Sequence, residues 1–128
     1  MGDDLRRELE KARTALIRTY VLHVAWFAAM CVFVSLQWSG DGLKASVLLT
    51  LITVPPVLFY TVRVHRLCRR IDPAARTVGV VPVLVTTLVL SPFESGLILP
   101  ARNLLVANRI LRARKRQEAA RIGTGPLN

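Results

Sequence analysis

The sequence predicts an all-α integral membrane protein with two transmembrane helices, a re-entrant helical hairpin and a basic amphipathic C-terminal helix. The alternative is three complete transmembrane helices. The composition supports this class, because 52% of the 128 residues are hydrophobic and the mean hydropathy is +0.42. The patterning supports it too, since the charged residues form blocks between long apolar runs, as in polytopic membrane proteins. The length allows one domain, so we treat residues 1–128 as a single membrane domain.

The net charge of +10 would also suit a nucleic-acid-binding protein. However, the basic residues flank the apolar runs, and the sequence contains no motif that combines aromatic and basic residues for nucleic-acid binding. Charged residues at the edges of membrane spans explain this distribution better. We therefore expect no nucleic-acid partner.

The first two predicted segments are a polar N-terminal helix at residues 1–19 and a first span at residues 20–38. Two aspartates near the start of the chain suit a helix N-terminus, and strong helix formers follow them. The nineteen residues of the span cover about 28 Å as a helix, close to the thickness of the hydrocarbon core. Tyr20 and Trp38 bracket this span, as interfacial aromatic residues do.

The second span is predicted at residues 43–64. Pro55 and Pro56 are expected to kink it, because each proline removes a backbone donor and crowds the preceding turn. Five arginines lie at the end of this span and in the loop that follows.

The third apolar region, residues 78–101, has two interpretations: a complete span that buries Glu94, or a hairpin that enters the membrane and returns. The letters SPFE favour the hairpin. Ser91 suits a helix N-cap, Pro92 suits the first helical position, and Glu94 is spaced to reach back to the Ser91 amide. We assign Ser91, Pro92, Glu94 and Gly96 to the hairpin turn and its cap. A helix ending before Ser91 would be about 20 Å long, too short to cross.

The distribution of lysine and arginine also favours the hairpin. Five of these residues precede the first span, one lies in the first loop, five lie in the second loop and seven follow Pro100. A third crossing would place ten inside and eight outside, whereas a hairpin places seventeen inside and one outside. Because basic residues in short flanks favour the cytoplasmic side, we predict a multi-pass protein of the bacterial inner membrane with both termini cytoplasmic.

The C-terminal segment, residues 102–121, predicts a basic amphipathic helix. Four arginines fall within one narrow arc of its helical wheel: Arg102, Arg109, Arg112 and Arg116. Leu104, Ala107 and Leu111 fall on another arc. This pattern suits the cytoplasmic membrane surface with its anionic lipids. Residues 122–128 are expected to form a flexible tail.

Glu94 is the strongest candidate for a functional carboxylate. An ionisable group at membrane depth serves protons, cations or a basic substrate by default, while the capping role explains its spacing without any such function. We favour the capping role. The two histidines, His23 and His65, are not at metal-ligand spacing, and we expect no metal and no cofactor. His23 is expected to be a hydrogen-bonded packing histidine, with titration or contact with a partner's haem edge as the alternative.

The second loop is predicted to carry a cytoplasmic basic patch. Its members are Arg63, His65, Arg66, Arg69 and Arg70. They would contact lipid phosphates, a substrate phosphate or a partner, or only set the orientation of the chain. Cys68 lies among these cations, which are expected to lower its pKa. Cys31 lies far from Cys68 in the sequence, and we expect no disulfide.

These features predict a non-catalytic accessory, scaffolding or lipid-contacting subunit of a membrane assembly. Ala28, Ala29, Ser95 and Gly96 permit close helix contact, so we expect a homo-oligomer or a larger membrane-protein partner as well as contact with anionic headgroups. The first alternative is a small oligomeric transporter or channel that uses Glu94 and the proline kink. The second is a lipid-modifying membrane enzyme, although the sequence has no nucleophile elbow, phosphate loop or paired carboxylate.

Overall fold

A computed structural model describes residues 2–36, 40–90 and 92–123 of the chain. Within these ranges the chain is all-helical, with four α-helices and no strand. The helices are α1 (Gly2–Ser35), α2 (Asp41–Ile71), α3 (Val80–Val89) and α4 (Pro92–Gly123). The side chains at positions 41, 43, 45, 46 and 92–94 lie outside the described part.

Three of the four helices are longer than the predicted segments and continue across the predicted boundaries. The polar segment 1–19 and the first span belong to one helix, α1. Helix α2 extends seven residues beyond Val64, to Ile71, and stays helical through Pro55 and Pro56. Helix α4 likewise continues through Pro100. It contains both the second arm of the predicted hairpin and the amphipathic segment. The polar parts of α1, α2 and α4 are stabilised as helices because they pack against one another in a common core.

Side-chain contacts fix the directions of the three long helices. Helices α1 and α2 are antiparallel, since His23 contacts Thr53 while Trp26, further along α1, contacts Thr50. Helix α4 is antiparallel to α1, because Arg13 bonds Asn108 while Tyr20 bonds the Leu97 carbonyl. It follows that α4 runs parallel to α2.

The chain reverses direction between α3 and α4. The hydroxyl oxygens of Thr87 and Ser95 lie 3.2 Å apart, Val83 and Leu99 share a small core, and the Val78 amide bonds Asn103. In these three pairs, each residue before position 91 contacts a residue a similar number of positions after it. This is the contact pattern of an antiparallel helical hairpin. Helix α3 ends at Val89 and α4 begins at Pro92. Re-entry of this hairpin into a membrane remains a prediction.

One end of the molecule is a three-helix bundle with its own hydrophobic core. The core draws on the first half of α1, the second half of α2 and the middle of α4. Its buried members include Leu9, Leu16, Val64, Leu67, Ala107 and Leu111. The apolar arc of the predicted amphipathic segment therefore packs inside the protein, with Ala107 and Leu111 in the core and Leu104 against it. The first half of α1 and the second half of α2 offer apolar stripes that remove the same side chains from water.

The other end of the molecule has an apolar surface. Large hydrophobic side chains are exposed on the second half of α1, the first half of α2 and most of α3; they include Val21, Leu22, Val32, Leu48, Ile52, Val81 and Leu88. Leu88 on α3 is 85% exposed. Helices α1 and α2, the latter from Val47 to Ile71, are long and apolar enough to cross a membrane. We call these two parts of the molecule the basic half and the apolar half.

Candidate functional site

The polar side chains of the apolar half lie between its helices. Tyr20, His23 and Trp26 follow one another at three-residue spacing on α1, which places them on one face of that helix. The His23 ring is fully buried, with Nδ1 2.9 Å from the hydroxyl oxygen of Thr53 on α2. One turn further along, Trp26 Nε1 donates to the hydroxyl oxygen of Thr50 at 2.9 Å. We call this set the histidine cluster.

Gly96 on α4 closes the histidine cluster from the third side. A Cβ atom at this position would lie 2.8 Å from His23 Nε2, closer than packed side chains approach. Only glycine lets the histidine ring rest against α4. The sequence prediction assigned Gly96 to the hairpin turn and to close helix contact; it lies in α4, and its close contact is with this chain's own His23.

Tyr20 contributes to the same packing. Its side chain is half-buried, and its hydroxyl group donates to the Leu97 carbonyl oxygen at 2.8 Å. Tyr20 was predicted to anchor the first span at the membrane interface together with Trp38, which lies outside the described residues. The bond to Leu97 gives Tyr20 an additional role that the sequence did not suggest: it ties α1 to the first turns of α4.

Asn103 on α4 joins three parts of the chain and is the residue that the sequence analysis missed. It is fully buried. Its Oδ1 accepts from the Val78 amide at 2.7 Å, and its Nδ2 donates to the carbonyl oxygens of Thr61 at 2.9 Å and of Val78 at 3.0 Å. These bonds use both polar atoms of the amide, as burial requires. An asparagine one helical turn before the buried Ala107 was the available signal.

The apolar part of α2 ends at Val62, and His65 and Cys68 lie beyond it, in the basic half. His65 Nδ1 is 2.6 Å from the Thr77 hydroxyl oxygen, and its ring lies so close to Gly79 that a Cβ there would be 2.9 Å from Nε2. Burial lowers the pKa of His65, and the neighbouring charge of Arg69 lowers it further.

Cys68 contradicts its sequence interpretation. The cations beside it in the sequence were expected to lower its pKa. The thiol is instead buried in the bundle core, and this burial, with a smaller effect of Asp72, raises the pKa of Cys68 to about 11. Cys68 is therefore a core residue rather than a reactive thiol.

The predicted basic patches lie on the surface of the basic half. All eight arginines are exposed: Arg63, Arg66, Arg69, Arg70, Arg102, Arg109, Arg112 and Arg116. An open groove of about 640 Å³ is lined by side chains of α1 and by Tyr60 of α2. Its lining includes three cations that the sequence analysis did not single out, Arg7, Lys11 and Arg18.

The remaining predicted residues concern the hairpin turn and the kink. Pro92 begins α4, and the side chain of Glu94 and the whole of Ser91 lie outside the described residues. The capping role and the transport role of Glu94 therefore both stay predictions. Pro55 and Pro56 are exposed, while Val54 and Val57 on the same helix are buried. Among the described His, Cys, Asp and Glu residues, no three lie close enough together to hold a metal ion.

The chain matches no protein-family model, no curated protein and no solved structure.

Proposed function

We propose that this protein is a non-catalytic accessory or scaffolding subunit of the bacterial inner membrane. In this proposal α1 and α2 cross the bilayer, α3 and the first turns of α4 enter and return, and both termini are cytoplasmic. The basic half then forms a cytoplasmic bundle that meets anionic headgroups and a partner protein.

The observation that carries the proposal is that polar side chains are buried and apolar side chains are exposed in the apolar half, the reverse of a soluble protein. His23 and Thr50 are fully buried there while Leu22 and Leu88 are exposed. Monomeric soluble proteins rarely expose contiguous apolar surface on this scale. Hydrocarbon around the helices would accept these side chains and would require polar groups to bond inside the protein.

The orientation is supported by the way the basic segments are gathered. The N-terminal segment, the second half of α2 and the middle of α4 pack into one bundle. Seventeen of the eighteen lysine and arginine residues lie in the N-terminal segment, between Arg63 and Arg76, or in α4 from Arg102 onward, and Lys44 is the exception. The positive-inside rule assigns such a bundle to the cytoplasm.

An accessory role fits the way the polar groups of the apolar half are used. His23, Trp26 and Tyr20 each bond a neighbouring helix of the same chain, which holds the helices together. The transporter alternative relied on Glu94 and on the two prolines. Because Pro55 and Pro56 are exposed rather than turned toward the other helices, they do not line a path within one chain.

Cysteine labelling tests the topology. In a background with Cys31→Ala and Cys68→Ala, single cysteines are introduced as Asp3→Cys, Lys44→Cys and Ala120→Cys, and intact cells are treated with a membrane-impermeant maleimide. The Lys44→Cys variant should be labelled in intact cells. The other two should be labelled only after the inner membrane is opened. Labelling of Ala120→Cys in intact cells would show three complete crossings.

Purification in mild detergent tests the accessory role. A partner protein or retained anionic lipid should accompany the chain. A chain that runs alone as a monomer and binds neither would contradict the proposal. The transporter alternative has its own test, because flux in reconstituted vesicles that survives Glu94→Gln would eliminate it.

A further inference from the structure

The open groove between α1 and α2 lies where the apolar and basic halves meet. Its wall on α1 includes Arg7, Lys11 and Arg18, and Tyr60 forms the wall on α2. We call these residues and the space between them the α1–α2 groove. A smaller depression shares Lys11 and Tyr60 with it and extends to Arg63. The groove and this depression therefore adjoin each other on the surface of the basic half.

The three cations on α1 form one row. They are four and seven residues apart, so their side chains leave the same face of the helix. All three are exposed. Like charges spaced four residues apart on a helix repel each other at a small cost in stability. An anion bound between them would remove this cost.

The carboxylates near the groove do not neutralise the row. Glu10 contributes to the lining, and its Oε1 is 3.3 Å from Arg6 Nε, on a residue outside the groove. Among the described carboxylates, none lies within 4.0 Å of the charged nitrogens of Arg7, Lys11 or Arg18. The threonine hydroxyls of the lining donate elsewhere, since Thr14 bonds the Glu10 carbonyl. The cations are therefore the charged donors that the groove offers, and the Tyr60 hydroxyl is a neutral donor beside them.

In the proposed orientation the Arg18 end of the groove lies at the height of the lipid phosphates. Arg18 is two residues before the first span, and Arg7 lies about 16 Å deeper toward the cytoplasm at helical rise. The surface next to the Arg18 end of the groove is apolar, because Val21 on α1 and Phe59 on α2 are exposed. A headgroup in the groove would have its acyl chains directed along this apolar surface.

We propose that the α1–α2 groove binds the phosphate headgroup of an anionic membrane lipid, preferably one with two phosphates. Lys11 and Arg18 are about 10 Å apart along the helix, too far to share one phosphate without bending toward each other. A volume of about 640 Å³ holds more than a single phosphate group. Lysine and arginine between membrane helices on the cytoplasmic side are suited to such headgroups. This inference rests on the proposed membrane insertion.

Lipid titration of the full chain in detergent tests the site. Purified, delipidated protein is titrated with fluorescent cardiolipin, and phosphatidylglycerol and phosphatidylcholine serve as one-phosphate anionic and zwitterionic comparisons. The groove variant combines Lys11→Gln with Arg18→Gln. The control combines Lys115→Gln with Arg121→Gln, an exposed lysine and an exposed arginine of α4 outside the predicted basic arc. Both variants lose two charges, and glutamine keeps helix propensity.

The groove variant should bind cardiolipin at least tenfold more weakly than the unmodified chain, while the control should change by less than about threefold. An equal loss in both variants, or equal binding of cardiolipin and phosphatidylcholine by the unmodified chain, would overturn the site. A second arm adds the water-soluble deacylated headgroup of cardiolipin. If it binds as tightly as the lipid, the ligand is a soluble phosphate compound and the lipid assignment is overturned.

Two further measurements separate this inference from the proposed function. Thermal unfolding of the groove variant should match that of the unmodified chain, since both substituted residues are exposed. The cysteine-labelling pattern should also persist in the groove variant. Equal binding of cardiolipin and phosphatidylcholine by an unmodified chain that shows the predicted topology would refute the groove alone. A changed topology in the unmodified chain would refute the proposed function.

Discussion

The apolar half and the basic half of this protein are built from the same three long helices, yet their insides and outsides are exchanged. In the basic half, Leu9 and Leu16 are fully buried while Arg63 and Arg109 are exposed. In the apolar half, His23 and Thr50 are fully buried while Leu22 is 63% exposed. The basic half buries apolar side chains, which water does not solvate, and the apolar half buries polar side chains, which hydrocarbon does not solvate. The comparison therefore predicts that the same substitution has different consequences in the two halves.

Leucine-to-alanine substitutions give the largest contrast. Leu9→Ala should cost about 2–5 kcal/mol, because it leaves a cavity in the core of the basic half. Leu22→Ala removes the same atoms from a side chain exposed to the surrounding detergent or lipid, and it should change stability by less than about 1 kcal/mol. Reversible unfolding in detergent micelles measures both. Similar costs for the two variants would break the comparison.

Asn103 lies where the two halves meet, and its removal should have the next largest effect. Asn103→Ala leaves the Val78 amide without the acceptor that it has at 2.7 Å. A buried donor without a partner costs about 1–3 kcal/mol, and the cavity left by the amide adds to this. Asn108→Ala is the matched control, since Asn108 is half-buried and accepts one bond from Arg13.

The expected difference between the two asparagine variants is about 2 kcal/mol, measured as the change in unfolding free energy in the same detergent. Loosening should concentrate in the α2–α3 connection, where Val78 lies. Hydrogen exchange of the residue 72–79 segment would detect it. An Asn103→Ala variant as stable and as protected as Asn108→Ala would show that Asn103 does not hold this connection.

Gly96 tests whether the histidine cluster is closely packed. Gly96→Ala places a Cβ atom 2.8 Å from His23 Nε2, and His23 has no free space because its ring is fully buried. Overpacking of this kind costs about 1–3 kcal/mol. Gly123→Ala is the control, since a Cβ there meets open space. If Gly96→Ala clashes with the ring, adding His23→Ala should recover part of the loss. Equal stability of Gly96→Ala and Gly123→Ala would contradict the packing.

The sequence predicted the parts of the fold that depend on neighbouring residues. The apolar runs locate the outer surface of α1 and α2, and the letters SPFE locate the start of α4 at Pro92. The parts it missed depend on residues far apart in the chain. Cys68 has cationic neighbours in sequence, but the fold buries it among apolar side chains of three segments. Similarly, the sequence shows that α4 has an apolar face, but it does not show which helices cover that face.

The candidate site was harder to predict than the fold for the same reason. His23 and Gly96 are separated by 73 residues, so only the packed structure reveals that the glycine accommodates the ring. In the sequence, the cations of the α1–α2 groove look like ordinary solvated residues of a polar helix. Only the packed structure places Tyr60 and Arg63 of α2 beside them. Periodicity identifies a face of a helix, and only packing identifies the partner of that face.

The smallest expected effect is a pH dependence that comes from His65 in the basic half. Burial and the charges of Arg69 and Arg66 lower the pKa of His65 in the folded chain. Below its ordinary value of about 6.5, the unfolded state then binds more protons than the folded state. Stability should therefore be complete above that pH and should fall as the pH drops from about 6.5 toward the lowered pKa.

The measurement is the unfolding free energy at several pH values between about 7.5 and 5, for the unmodified chain and for His65→Gln. The unmodified chain should lose more stability over this range than the variant does. The difference between the two curves isolates His65 from His23 and from the carboxylates, which are present in both proteins. Parallel curves would mean that the ring accepts a proton as readily in the fold as in water, and that its contacts with Thr77 and Gly79 yield to the charged form.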